Sequence, residues 1–122
     1  MEENNTILII DDEISIRNML KVFVESHGYE AITKPSAKEG LATLRIKNIK
    51  LVLLDICMPE ESGLELLKKI KSITPSTNVI MITGQENMEV AKECMKLGAK
   101  DYIRKPFDMD YLETSIFAEY FS

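Results

Sequence analysis

Two runs of branched aliphatic residues in this chain each end on aspartate. Thr6–Ile10 leads into Asp11 and Asp12, and Leu51–Leu54 leads into Asp55. Neither run alternates apolar with polar residues, which is typical of strands that are covered on both faces in a parallel sheet. Because ligands bind at the carboxyl ends of such strands, the pattern predicts one acidic site built from two strand ends.

The rest of the chain continues this alternation, so that strands and helices follow one another about five times. Apolar residues at helical spacing, capping pairs such as Ser36 with Glu39, and glycine or proline stops indicate where helices begin and end. The predicted strands are Thr6–Ile10, Tyr29–Thr33, Leu51–Asp55, Asn78–Ile82 and Asp101–Arg104. The predicted helices lie between Asp12 and His27, Ser36 and Ile46, Ser62 and Ile70, Val90 and Gly98, and from Asp108 through Phe117. We therefore expect an α/β fold with one five-stranded parallel sheet and helices on both faces.

Length and composition limit the classes of protein that remain. The chain has 122 residues, of which 45% are hydrophobic and 29% charged, as expected for one globular domain. No apolar stretch approaches the roughly 18 residues that a membrane span needs, and the acidic start Met1–Asn5 lacks the features of a secretion signal. These features predict a cytoplasmic protein without a membrane segment.

Charge and cysteine content exclude two further classes. The net charge of −5 argues against direct binding of nucleic acid, which requires a basic face. The two cysteines, Cys57 and Cys94, do not have metal-binding spacing, so we expect reduced thiols rather than a zinc site or a disulfide framework.

Four of the five predicted strand ends carry residues that suit phosphoryl chemistry. In chain order the five ends carry Asp11 with Asp12, Thr33, Asp55, Thr83 and Lys105. Asp55 could act as a carboxylate nucleophile that forms an aspartyl phosphate, while Asp11 and Asp12 hold a divalent cation, most plausibly Mg²⁺. Lys105 supplies a positive charge for one phosphoryl oxygen and the Thr83 hydroxyl donates a hydrogen bond to another.

Four segments together resemble the receiver domain of two-component response regulators, over essentially the whole chain, residues 1–122. They read ILIIDDE, LVLLDICMPEESG, VIMITG and GAKDYIRKPF, and they contain Asp11, Asp12, Asp55, Thr83 and Lys105. The resemblance implies a doubly wound, flavodoxin-like sheet with strand order 2-1-3-4-5. It also implies a cis bond between Lys105 and Pro106.

The same resemblance implies a function. Asp55 would be the phosphoacceptor, and Asp12, Asp55 and the backbone carbonyl of Cys57 would bind Mg²⁺, with Asp11 acting through metal-bound water. The phosphoryl donor would be a phosphohistidine of a sensor histidine kinase or a phosphotransfer protein. The protein would catalyse only its own phosphorylation and dephosphorylation, so it is not an enzyme in the ordinary sense.

The resemblance further implies a switch. The Thr83 hydroxyl would move toward the phosphoryl group and the Tyr102 ring would turn inward, changing the surface of helix four, strand five and helix five, roughly residues 87–97 and 101–120. This surface would control a downstream effector domain or protein, or form a homodimer. Cys57 and Gln85, which flank the phosphoryl group in receivers, would set its lifetime. Whether the chain acts alone or as one domain of a transcription activator stays open.

Other interpretations exist for single residues of this site and for the function of the whole site. Acidic residues at 11–13 also suit a helix N-terminus, and Lys105 alone would read as a solvated lysine. A haloacid-dehalogenase-like phosphatase would need Asp-x-Asp at the first strand, and a flavodoxin-like binder would need a glycine-rich phosphate loop; neither motif is present. An unphosphorylated docking module stays as an alternative. His27 is expected to interact with a helix C-terminus, with no catalytic role, and Met58, Met81 and Met95 to pack in the core or loops.

Overall fold

The computed structural model describes residues 5–58, 61–84 and 87–118. Its strands are β1 Thr6–Ile10, β2 Glu30–Lys34, β3 Leu51–Asp55, β4 Asn78–Thr83 and β5 Asp101–Arg104. Its helices are α1 Ile14–Ser26, α2 Ala37–Ile46, α3 Gly63–Ile73, α4 Met88–Lys96 and α5 Met109–Glu113, the last continued by a π-helical turn at Thr114–Ala118. The strands are parallel and ordered β2-β1-β3-β4-β5. Both the predicted fold class and the strand order are confirmed.

Successive residues of the inner strands point to opposite faces of the sheet, which explains why these strands are apolar throughout. Leu8 and Leu54 contribute to a core that α2, α3 and α4 cover. Ile9 and Leu53 contribute to a second core, on the other face, that α1 and α5 cover. The sheet is therefore fixed on both sides, and the three inner strands β1, β3 and β4 are buried almost throughout.

Of the five α-helices in the described residues, four begin with a side-chain cap. Ser36 and Ser62 accept hydrogen bonds from the backbone N–H groups three residues later, as their spacing predicts, and Asn87 and Asp108 cap α4 and α5. In α1, by contrast, Glu13 holds the cap position and its side chain makes no capping hydrogen bond.

Several predicted boundaries and contacts differ from the structure. The second strand begins at Glu30 rather than Tyr29, because the Tyr29 N–H donates to the Val24 carbonyl at the end of α1. The Tyr29 ring stacks on Phe117 with centroids 5.2 Å apart. His27 does cap the C-terminus of α1, but its ring also stacks on Phe117 at 4.1 Å. Met95 is 48% exposed on α4, so its prediction as core or loop packing was wrong, since it lies on the outer face of a helix.

None of the helices in the described parts of the chain has the length and apolar character that crossing a membrane requires.

Candidate functional site

Adjacent strands bring the predicted carboxylates together. Ile10 of β1 pairs with Leu54 of β3, so that Asp11 and Asp55 follow side by side at the carboxyl edge. Carboxylate oxygens of Asp11, Asp12 and Asp55 all lie within 4.8 Å of one another. Asp11 and Asp55 are buried, whereas Asp12 is exposed. The result is an acidic cluster, buried on one side and open to solvent on the other.

Lys105, just after β5, is the cation of this cluster. Its Nζ lies 3.0 Å from Asp11 Oδ2, 3.3 Å from Glu13 Oε1 and 3.9 Å from Asp55 Oδ1. Its backbone N–H donates to the Thr83 carbonyl at 2.7 Å, which fixes the chain at the end of β4. The peptide bond between Lys105 and Pro106 is cis, the isomer that the resemblance implied.

Burial dominates the electrostatics of Asp55. The pKa of the Asp55 carboxyl is raised from 3.8 to about 7, chiefly by burial and next by the charge of Asp11, and Lys105 opposes this increase. Burial lowers the pKa of Lys105, but the carboxylates of Asp11 and Asp55 outweigh it, so the pKa is raised overall. The lysine thus stays charged while the phosphoacceptor candidate holds its proton to near neutral pH.

The oxygen atoms of the cluster fit a hard divalent cation. Asp11 Oδ1 accepts a hydrogen bond from the Glu13 N–H at 2.9 Å. Asp11 Oδ2 is fully buried and, apart from its ion pair with Lys105, has no hydrogen-bond donor among the described residues. Such an oxygen, beside two more carboxylates, is a donor set that Mg²⁺ or Ca²⁺ prefers.

The loop after β3 holds Asp55 in place through a close backbone approach that the sequence analysis did not single out. Asp55 Oδ1 accepts from the Cys57 N–H at 3.2 Å, and the Gly63 N–H donates to the Ile56 carbonyl at 2.8 Å. A Cβ at Gly63 would lie 2.6 Å from Ile56 Cα and 2.8 Å from the Asp55 carbonyl oxygen. Only glycine allows α3 to start this near the site. In the sequence, the signal for this close approach is that Gly63 is the last residue of the segment LVLLDICMPEESG.

Thr83 and Tyr102, the residues predicted to act as a switch, lie on two neighbouring strands of the sheet. Thr83 is buried at the end of β4, directly after Ile82, the register partner of Asp55. Tyr102 is half-buried on β5 and lines a pocket of about 320 Å³ with α4 residues such as Met88 and Ala91. Tyr102 thus lies at the α4 side of the sheet.

Of the two residues predicted to set the phosphoryl lifetime, the structure describes Cys57 only. Cys57 is an exposed free thiol beside the acidic cluster. Gln85 lies outside the described residues, and its role stays a prediction.

Comparisons with known proteins agree with this geometry. A family model described as the response regulator receiver domain matches residues 7–117. The transcriptional regulatory protein CrdR of Helicobacter pylori is 39% identical over 90% of this chain and 52% of its own length. The transcriptional regulatory protein ZraR of Escherichia coli is 35% identical over 93% of this chain and 26% of its own length. The chain thus spans between a quarter and about half of these curated relatives.

A solved structure gives the same result. The CheY-like receiver domain protein of Methanospirillum hungatei superposes with a TM-score of 0.86 and 36% identity, over 92% of this chain and 90% of that one. Family match, relatives and fold agree over nearly all of the sequence, and the acidic cluster lies where the fold places its ligand site. The chain therefore belongs to the response regulator receiver domains of two-component signalling.

Proposed function

We propose that residues 1–122 form one receiver domain that takes a phosphoryl group onto Asp55 from a phosphohistidine of a sensor histidine kinase or phosphotransfer protein. One observation carries the proposal: a buried carboxylate at the end of β3, with a pKa of about 7, lies beside a second buried carboxylate, and one lysine ammonium is within 4 Å of both. Sites with strongly perturbed pKa values are enriched in catalytic groups. Residue types and family membership support the same role.

The proposed reaction is a single displacement at phosphorus. An oxygen of ionised Asp55 attacks the phosphorus atom, the P–O bond forms, and the P–N bond of the phosphohistidine breaks. The imidazole nitrogen leaves with the bonding electron pair and is protonated by solvent. Lys105 would pair with one phosphoryl oxygen, which its 3.9 Å distance from Asp55 supports, and the Thr83 hydroxyl would donate a hydrogen bond to another.

Mg²⁺ is the proposed cofactor, held by Asp11, Asp12, Asp55 and the backbone carbonyl of Cys57. When bound, it would neutralise charge on the phosphoryl oxygens. The buried oxygen of Asp11 and the grouping of the three carboxylates support this assignment. Lys105 does not replace the cation, because one ammonium faces three carboxylates here.

The output is proposed to be a change of surface. Thr83 and Tyr102 act as switch residues, and the face formed by α4, β5 and α5 carries the signal to an effector domain or protein, or to a second copy of the chain. Three acceptor oxygens and nearly two negative charges at Asp55 are sufficient to reposition the Thr83 loop. Cys57 and Gln85 are proposed to tune the phosphoryl lifetime. The protein acts in the cytoplasm and reaches nucleic acid only through its partner.

Intact mass spectrometry tests the proposal directly. The chain is incubated with acetyl phosphate and MgCl₂, with EDTA in a parallel sample. We expect a mass increase of one phosphoryl group with magnesium, little with EDTA, and none in Asp55→Asn. No mass increase in the unmodified chain would favour the unphosphorylated docking module instead, and labelling that persists in Asp55→Asn would place the phosphoacceptor elsewhere.

A further inference from the structure

Glu13 makes a contact that the proposed mechanism does not use. Its Oε1 accepts a hydrogen bond from Lys105 Nζ at 3.3 Å, closer than the 3.9 Å between Lys105 Nζ and Asp55 Oδ1. The Lys105 side chain is 13% exposed, while Glu13 is 57% exposed. A solvent-facing carboxylate therefore shares the ammonium group that, among the described residues, forms an ion pair with the phosphoacceptor.

The local structure of α1 shows that Glu13 does not serve as an ordinary helix cap. Glutamate is not among the preferred cap residues, and its side chain makes no hydrogen bond to the first turn of α1. The cap residues of the other four α-helices in the described chain all make such bonds. A position that breaks a local rule commonly does so for function. Here the side chain that fails to cap α1 reaches Lys105 instead.

We propose that Glu13 is a positioning residue that competes with the incoming phosphoryl group for Lys105 and so slows phosphorylation of Asp55. This inference rests on the proposed function. The ammonium has three protons, and in the unphosphorylated chain it already pairs with Asp11 and Glu13. A phosphoryl oxygen must either displace Glu13 or accept its negative charge nearby. Either effect raises the free energy of the transition state for transfer, in which the phosphoryl group already lies beside Lys105, and so lowers the rate.

The test measures the initial rate of phosphorylation by acetyl phosphate with MgCl₂ in Glu13→Gln. This change keeps the shape of the side chain and removes its charge. We expect a rate about two- to fivefold higher than in the unmodified chain, which is the factor that an exposed ion pair contributes. The increase should shrink at high salt, because the competing charge is exposed to solvent. An unchanged or lower rate overturns the inference.

Glu25→Gln is the matched control, since it removes the same charge from the exposed far end of α1. Its rate should equal that of the unmodified chain; an equal increase in both variants would assign the effect to net charge and overturn the role of Glu13. Because every comparison is made against a chain that is phosphorylated, failure here differs from failure of the proposed function, in which the unmodified chain gains no phosphoryl group.

Glu13→Ser separates positioning from folding. Serine supplies the missing cap of α1 and removes the carboxylate at the same time. We expect the same rate increase as in Glu13→Gln together with a higher midpoint of thermal unfolding. A lower midpoint would mean that Glu13 stabilises the fold. That result would overturn the argument that Glu13 replaces a stabilising cap residue because its carboxylate contacts Lys105.

Discussion

Replacing Asp55 by asparagine should stabilise the metal-free protein. The Asp55 carboxyl is buried against Asp11, and its pKa is raised to about 7. Asparagine has nearly the same shape, its Oδ1 keeps the hydrogen bond from the Cys57 N–H, and its amide can donate to a carboxylate. The substitution therefore removes a buried charge without removing a packing group.

The raised pKa sets the size of the effect. A rise from 3.8 to about 7 corresponds to about 4 kcal/mol in the free energy of unfolding when Asp55 is ionised. Solvent reaches the open side of the cluster, where Asp12 is exposed, and screens part of this cost. We therefore expect Asp55→Asn to gain about 2 kcal/mol at pH 8.

The sign of the pH dependence follows from proton linkage. Below pH 3.8 Asp55 is protonated in both folded and unfolded chains, so its ionisation contributes nothing. Between pH 3.8 and about 7 the folded chain keeps the proton that the unfolded chain has lost, so the stability contribution falls as pH rises. Above about pH 7 both states are ionised and the loss stays constant. The advantage of Asp55→Asn should therefore appear as pH rises from 4 to 7 and then level off.

Urea unfolding in EDTA, followed by circular dichroism at pH 4.5 and pH 8, measures this difference. Glu25→Gln is the control, because it neutralises an exposed carboxylate on α1 outside the acidic cluster, where we expect a change within about 0.5 kcal/mol. Asp55→Asn that is less stable than the unmodified chain at pH 8, or equally stabilised at both pH values, would refute the reasoning.

Three further substitutions test other contacts by urea unfolding. Gly63→Ala should cost about 1 to 3 kcal/mol through overpacking, whereas Gly84→Ala, with no atom within 4 Å of its added Cβ, should stay within about 0.5 kcal/mol; similar values for both would contradict the close approach at Gly63. Lys105→Met should cost about 3 kcal/mol at pH 8 by leaving buried carboxylates without their cation, and unchanged stability would speak against these ion pairs. Phe117→Ala should cost about 3 kcal/mol through loss of stacking and burial, against a small effect of Met109→Ala on the exposed side of α5.

Much of the fold could be predicted because strand ends and helix caps depend on residues that are close together in the sequence. The uninterrupted apolar runs before Asp11 and Asp55 located β1 and β3, and β5 was predicted at its observed bounds, Asp101–Arg104. The π-helical turn after Glu113 was not predictable from periodicity, since Leu112 and Ile116 lie four residues apart as in an ordinary α-helix.

Some contacts of the site could likewise be predicted from the sequence, and others could not. Asp11, Asp12 and Asp55 were predicted to meet because parallel strands share one carboxyl edge, and the structure brings their oxygens together. The contact between Glu13 and Lys105 joins residues 92 positions apart and has no local signature, so only the fold reveals it. The prediction that Met95 packs in the core or loops was wrong for a related reason. The sequence of a helix does not show whether another element covers a given apolar residue.

The strand order has a consequence for how motion is distributed in the domain. Asp11 and Asp55 follow β1 and β3, each flanked by a strand on both sides, whereas β5 has a single neighbour, β4. Backbone amides of β1, β3 and β4 should exchange with deuterium only when the whole domain unfolds, and those of β5 through smaller local openings. The carboxylates of the site are thus expected to follow strands that exchange slowly, whereas Lys105 and the proposed output surface belong to an edge of the sheet that opens at a lower cost in free energy.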